Sequence, residues 1–157
     1  MIDVLVLARW LHVIGACLLL GTGAGIAFFM VLAHRTRQPG LIAQVAGFVV
    51  AADFLFTASA VAIQPITGLW LAHLTGWPLT TPWILISAGL YVVIGCFWLP
   101  VVWLQLRLRD LARDAASRGD TLPPLYFRYY RIWFACGFPA FAAVLAIVWL
   151  MLARQPA

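Results

Sequence analysis

Long apolar stretches separated by short polar segments dominate the chain, and they predict membrane-spanning helices. An apolar run of about 18 residues or more is long enough to cross the roughly 30 Å hydrocarbon core of a bilayer as a helix. The runs that meet this length cover residues 5–33, 46–73, 82–106 and 130–153. The pattern therefore predicts an all-α fold, an integral membrane four-helix bundle that forms a single transmembrane domain over residues 1–157.

The segment after the third run, about residues 107–129, predicts a polar arm outside the bilayer. It is rich in arginine, and Pro123 and Pro124 separate it from the fourth run. Leu104, Leu108 and Leu111 are spaced to form one apolar stripe of a helix. We therefore expect the third helix to continue into the arm, where this stripe can pack on a neighbour or lie at the membrane surface.

The positions of the arginines predict the orientation of the bundle. The connection between the first and second spans holds Arg35 and Arg37, and that between the second and third holds no Lys or Arg. The third connection holds four arginines: Arg107, Arg109, Arg113 and Arg118. Basic connections lie in the cytoplasm by the positive-inside rule. Because short connections join antiparallel neighbours, we expect an up-down topology with both termini outside.

Composition supports a membrane protein and excludes several other classes. Hydrophobic residues make up 65% of the chain and charged residues 10%, whereas globular domains carry about 25% charged residues. The net charge of +5 comes from arginines at the ends of spans, so we expect no nucleic-acid binding. The three cysteines are isolated, and no C-x-x-C-H motif for covalent haem attachment is present.

One carboxylate is predicted to lie at membrane depth. Asp53 is the only Asp, Glu, Lys or Arg between Arg37 and Arg107. Charge at this depth is costly and is therefore usually paired, cavity-facing or functional. One interpretation is a carboxyl that stays neutral or pairs with an arginine reaching in from a cytoplasmic connection. The other is a proton relay, which makes Asp53 the candidate catalytic residue.

A second group of polar residues is predicted at the outer ends of the first two spans. Arg9 and His12 share one face of the first helix, while Gly68 and His73 lie towards the end of the second. Because neutral imidazole is a common iron ligand, His12 and His73 are candidate axial ligands of a haem b. Arg9 would then face the propionates, and Gly68 would let the ring approach the backbone. Alternatively, His12 simply forms a hydrogen bond to a neighbouring helix.

Short motifs on the first two spans resemble known membrane proteins. Residues 10–15 read Trp-Leu-His-Val-Ile-Gly, and residues 64–71 read Gln-Pro-Ile-Thr-Gly-Leu-Trp-Leu. The pattern resembles HemJ-type protoporphyrinogen oxidases, copper-resistance D-like proteins and an uncharacterised family of predicted integral membrane proteins, a domain of unknown function. The resemblance implies a multi-pass protein of the bacterial inner (cytoplasmic) membrane in which His12 ligates haem b. It also makes His34 a candidate functional residue, because His34 matches a histidine at the cytoplasmic end of the HemJ-type first helix.

The resemblance also shows a departure that bears on activity. HemJ-type proteins carry a lysine early in the third helix, and this chain has no lysine. We therefore expect haem binding with an electron-transfer or small-substrate oxidoreductase role, rather than porphyrinogen oxidation. The expected partners are the lipid bilayer and either a redox partner protein or further copies of the chain. The alternatives are an accessory or structural membrane subunit and a copper-handling, transporter-like protein, although no Met, Cys and His cluster of the kind copper prefers is visible.

Overall fold

The computed structural model describes residues 3–153, which form long helices joined by short connections. The helices are α1 (Val4–Thr36), α2 (Pro39–Ala52), α3 (Ala58–Thr75), α4 (Pro82–Arg118) and α5 (Pro124–Ala153), and a π-helical turn, Asp53–Thr57, joins α2 to α3 without a break. By length and composition, four stretches can cross a membrane: α1, the combined segment Pro39–Thr75, α4 and α5. The predicted all-α, four-helix membrane bundle is thus confirmed.

The helices extend beyond the apolar runs that predicted them. The second span begins at Pro39 rather than at about residue 46, and α5 begins at Pro124 rather than at about residue 130. The third helix runs without interruption to Arg118, as the leucine stripe predicted. The polar arm is therefore the end of α4, a short turn and the start of α5. The length of an apolar run reflects the thickness of the hydrocarbon core. The ends of a helix are instead set by residues at its termini, which can lie outside the apolar run.

The caps explain where the helices begin and end. The Asp3 carboxylate accepts a hydrogen bond from the backbone N–H of Leu5 at 3.0 Å and so caps the start of α1. The ends of α1, α3 and α4 are followed by residues in the left-handed conformation. These residues are Arg37, Gly76 and Gly119, with φ of 58°, 70° and 68°. Glycine adopts this conformation without a steric cost, so Gly76 and Gly119 act as helix stops.

The apolar core lies in the half of the bundle that carries the arginine-rich connections, called the basic half below. It is built from the second half of α1, from α2, and from the parts of α4 and α5 nearest their shared turn. Its members are Ile26, Met30, Ala33, Ile42, Ala46, Val49, Leu104, Leu108, Ala112, Leu122, Tyr126 and Trp133. This core includes the leucine stripe of the predicted arm, which therefore packs within the bundle.

The other half, called the far half below, is held by polar contacts between helices. There α1 packs on α3, and α4 packs on α5. Pro65 has no backbone N–H, so the carbonyl of Val61 one turn earlier loses its partner within α3. The Tyr91 hydroxyl of α4 donates a hydrogen bond to that carbonyl. A proline inside a membrane helix is thus compensated by a side chain from the neighbouring helix.

The position of the core can be tested with two leucines of α4. Leu104 is 3% exposed in the core and Leu99 is 64% exposed on the outside. Leu104→Ala is expected to lower the free energy of unfolding by about 2 kcal/mol, the low end for buried leucines, because lipid is as apolar as a leucine side chain. Leu99→Ala, the matched control, is expected to change it little. Thermal unfolding in detergent measures both, and equal effects would contradict the packing described.

Candidate functional site

His12, the central residue of the predicted site, lies buried between α1 and α3 and is 9% exposed. Its Nδ1 lies 2.8 Å from the Thr67 Oγ1. The Gln64 side-chain amide donates a hydrogen bond of 2.8 Å to the backbone carbonyl of His12. Two residues of α3 therefore hold both the ring and the backbone of His12. Hydrogen bonds of this kind commonly join helices in membranes.

The neighbours of Thr67 bear on which nitrogen of His12 carries the proton. The Thr67 hydroxyl has a single proton to donate, and it lies 3.0 Å from the Ile63 carbonyl oxygen and 3.2 Å from that of Gln64, both in its own helix. When that proton goes to a carbonyl of α3, the Thr67 oxygen accepts from the Nδ1–H of His12. In the neutral ring the Nε2 nitrogen consequently carries the lone pair. Histidines that bind metals commonly have this arrangement, with the second nitrogen donating to a fixed acceptor.

Two glycines allow α1 and α3 to approach closely at this point. A Cβ atom at Gly68 would lie 3.3 Å from the Cε1 atom of His12, and one at Gly15 would overlap the Nε2 atom of Gln64. The first contact is tight and the second is too short for a real Cβ. The ring that lies against the bare backbone of Gly68 is that of His12, and the approach of a haem ring to Gly68 stays a prediction.

The other predicted haem-site residues lie apart from this cluster. Arg9 on α1 and His73 on the last turn of α3 are exposed. Neither forms a side-chain hydrogen bond or an ion pair within residues 3–153. Nor do three or more His, Cys, Asp or Glu side chains come together as a metal-binding group in that range. Iron ligation by His12 and His73 and propionate binding by Arg9 therefore stay predictions.

Asp53 begins the π-helical turn and is 3% exposed. The indole Nε1 of Trp98 on α4 donates a hydrogen bond of 3.3 Å to its Oδ1. Its Oδ2 and the Thr57 hydroxyl are buried without a hydrogen-bond partner among the described residues. The partner of this carboxyl is thus an indole, and no arginine reaches it in the part of the chain that the structure describes. Single π-helical turns within α-helices are frequent at functional sites.

Asp53 and the His12 cluster are separate sites on the same span. Asp53 and Thr67 lie roughly 21 Å apart along the helix at about 1.5 Å per residue. His12 lies in the far half and Asp53 nearer the basic half. A direct hydrogen bond between them is therefore impossible.

A third polar group, at the basic end, was not predicted from the sequence. His34 lies 3.4 Å from the Tyr126 hydroxyl through its Nδ1, and its ring stacks on Tyr130 with centroids 3.6 Å apart. Tyr126 and Tyr130 are four residues apart and so share a face of α5. That spacing is visible in the sequence, but the histidine that packs against it is far away in the chain. His34 thus joins α1 to α5 through aromatic stacking.

The close approach of α1 and α3 can be tested with two glycines of α1. Gly15→Ala is expected to displace the Gln64 amide and remove its bond to the His12 carbonyl, which costs about 1 kcal/mol. Gly23→Ala is the matched control, because a Cβ there meets no atom within 4 Å. Both variants gain the same helix propensity, so thermal unfolding in detergent should show the Gly15 variant less stable than the Gly23 variant. Equal stability would argue against the contact.

Comparison with known proteins supports the assignment as a membrane protein. No curated protein and no solved structure matches the chain. The family described as "Predicted integral membrane protein (DUF2269)" matches residues 6–155, almost the whole sequence. This match agrees with the four apolar spans, and it confirms the predicted membership of an uncharacterised family of integral membrane proteins. The chain is an integral membrane protein that belongs to the DUF2269 family.

Proposed function

We propose that this protein binds haem b in the bacterial inner (cytoplasmic) membrane and has an electron-transfer or small-substrate oxidoreductase role. The observation that supports the proposal most directly is the hydrogen bond between His12 Nδ1 and Thr67 Oγ1. With the Nδ1–H as donor, this bond would leave the lone pair on Nε2, in the state of imidazole that ligates iron.

The chemistry of the surrounding residues fits such a group. Thr67 and Gln64 fix the ring and backbone of His12, which is how neighbouring residues commonly orient an iron ligand. Arg9 and His73 are exposed at the same end of the bundle, so their side chains are free to turn towards a bound ring. His73 is the proposed second ligand and Arg9 the proposed partner of the propionates. Bound haem would supply one-electron chemistry, tuned by its axial ligands and by burial.

Asp53 is the proposed proton-relay residue of the same protein. Trp98 occupies one carboxyl oxygen, and the other oxygen has no partner within residues 3–153, so it is free to hold a proton. Its place nearer the basic half would let it take up protons on the side opposite His12. Asp53→Asn is isosteric and keeps an acceptor for Trp98, so it removes the proton site with little change in packing.

The copper-handling alternative gains no support from the arrangement of the soft ligands. Cys17 and Cys96 are exposed on different helices, and Cys136 lies on a third. Copper sites bring such ligands together. The described part of the chain has no such cluster.

The proposal is tested by haem titration of the purified protein in detergent, followed by absorption spectroscopy. Wild-type protein is expected to give a Soret band that saturates at one haem per chain. His12→Ala is expected to abolish it, because the axial bond is lost. Thr67→Val is expected to weaken haem binding by about 10- to 100-fold, as loss of a residue that orients a ligand typically does.

His34→Ala is the matched control, because His34 lies at the opposite end of the bundle and stacks on tyrosines. It is expected to bind haem as wild type does. His73→Ala is expected to change the spectrum from six-coordinate to five-coordinate iron if His73 is the second ligand. A wild-type protein that takes up no haem, or a correctly folded His12→Ala variant with an unchanged Soret band, would refute the proposal.

A further inference from the structure

A groove on the outside of the bundle combines arginines with an apolar wall. It has a volume of about 520 Å³ and is lined by Phe97 of α4 and by Arg128, Arg131, Ile132, Ala135 and Cys136 of α5. The five α5 residues recur at intervals of three and four and therefore share one helix face. Along that face the side chains change from charged to apolar as α5 runs away from the basic end.

The change from charged to apolar coincides with the expected edge of the hydrocarbon. Residues 132–153 contain no Asp, Glu, Lys or Arg, and as a helix they span roughly 33 Å. This length matches the roughly 30 Å hydrocarbon core, so Arg131 lies at its boundary and Arg128 one turn beyond. The apolar part of the groove then faces acyl chains, and the two guanidinium groups lie at the level of the lipid headgroups.

The two arginines of the groove have no neutralising partner. Arg128 and Arg131 form no ion pair or side-chain hydrogen bond with residues 3–153, and both are exposed. Arg35 and Arg113 are likewise exposed, outside the groove, whereas four other arginines at this end are engaged. Arg109 pairs with Asp110 at 2.8 Å and Arg118 with Asp120 at 3.3 Å, while Arg37 lies over the Phe127 ring and Arg107 over the Trp103 ring.

We propose that this groove binds an anionic phospholipid. The phosphate lies between Arg128 and Arg131, and one acyl chain follows Ile132 and Ala135 past Phe97. Guanidinium groups match phosphate oxygens in geometry as well as in charge. Basic pockets between membrane helices at the cytoplasmic side are a known kind of site for anionic headgroups.

The surroundings of the groove favour a lipid over a second copy of the chain. The groove opens sideways, at the depth where phospholipids are the immediate neighbours. A second copy that approached with the same orientation would bring its own arginine-rich end to this level, and like charges repel. A phospholipid supplies both the negative charge and the apolar chain that the two parts of the groove match.

The proposal is tested by titrating delipidated protein in a neutral detergent with phosphatidylglycerol or phosphatidylcholine and following thermal unfolding. Phosphatidylglycerol is expected to raise the melting temperature in a saturable way, and phosphatidylcholine much less. The double variant Arg128→Gln, Arg131→Gln is expected to bind phosphatidylglycerol roughly 30-fold more weakly, equivalent to about 1 kcal/mol for each arginine. The matched control is Arg35→Gln, Arg113→Gln, which removes the same charge from exposed sites outside the groove and is expected to bind as wild type does.

A further variant tests the apolar part of the groove. Ala135→Phe keeps both arginines but fills the space for the acyl chain, and it is expected to weaken phosphatidylglycerol binding as well. Its control is Ala62→Phe, at an exposed position of α3 outside the groove. Inorganic phosphate at the same concentration is expected to produce no comparable shift, which separates a lipid from a free anion.

Three results would overturn the assignment. The first is equal stabilisation by both lipids. The second is a double arginine variant that binds phosphatidylglycerol as tightly as its control. The third is an Ala135→Phe variant that keeps full phosphatidylglycerol binding but changes the oligomeric mass, because this face would then be a contact between copies of the chain.

Discussion

The bilayer offers no hydrogen-bond partners in its hydrocarbon core, so polar groups at that depth must be satisfied by the protein itself. Hydrogen bonds between helices meet this requirement in the far half of the bundle. The His12 ring bonds to Thr67, the His12 carbonyl to Gln64, and the Val61 carbonyl freed by Pro65 to Tyr91. These bonds join α1 to α3 and α4 to α3 in that half of the bundle.

The two halves of the bundle are stabilised in different ways. The basic half has a buried apolar core, extended by the stacking of His34 on Tyr130. The far half has fewer buried apolar side chains and depends on glycines that allow close approach and on polar bonds that hold it. The proposed haem site lies there, and the proposed lipid groove lies near the basic end.

The sequence predicted the spans well because a run of apolar residues is a direct measure of hydrocarbon depth. It predicted the helix ends less well, because these depend on residues outside the apolar runs, such as Pro39 in the first turn of α2 and Gly119 after the end of α4. The choice of His12 was possible because a histidine at that depth is rare. The contact of His12 with Thr67 depends on how α1 and α3 are rotated about their axes relative to each other. No local sequence pattern specifies that rotation. The hydrogen bond between Trp98 and Asp53 could not be predicted either, because the π-helical turn that carries Asp53 leaves no clear signal in the sequence.

The proposed role of His12 depends most on the protonation state of its ring, which ¹⁵N NMR of histidine-labelled protein in detergent micelles measures directly. The chain has three histidines, so the His12 signals can be assigned by their loss in His12→Ala. At neutral pH the account predicts a neutral ring with the proton on Nδ1 and the lone pair on Nε2. It also predicts that Thr67→Val loses this preference. A proton on Nε2 in the wild-type protein, or an imidazolium ring, would contradict it.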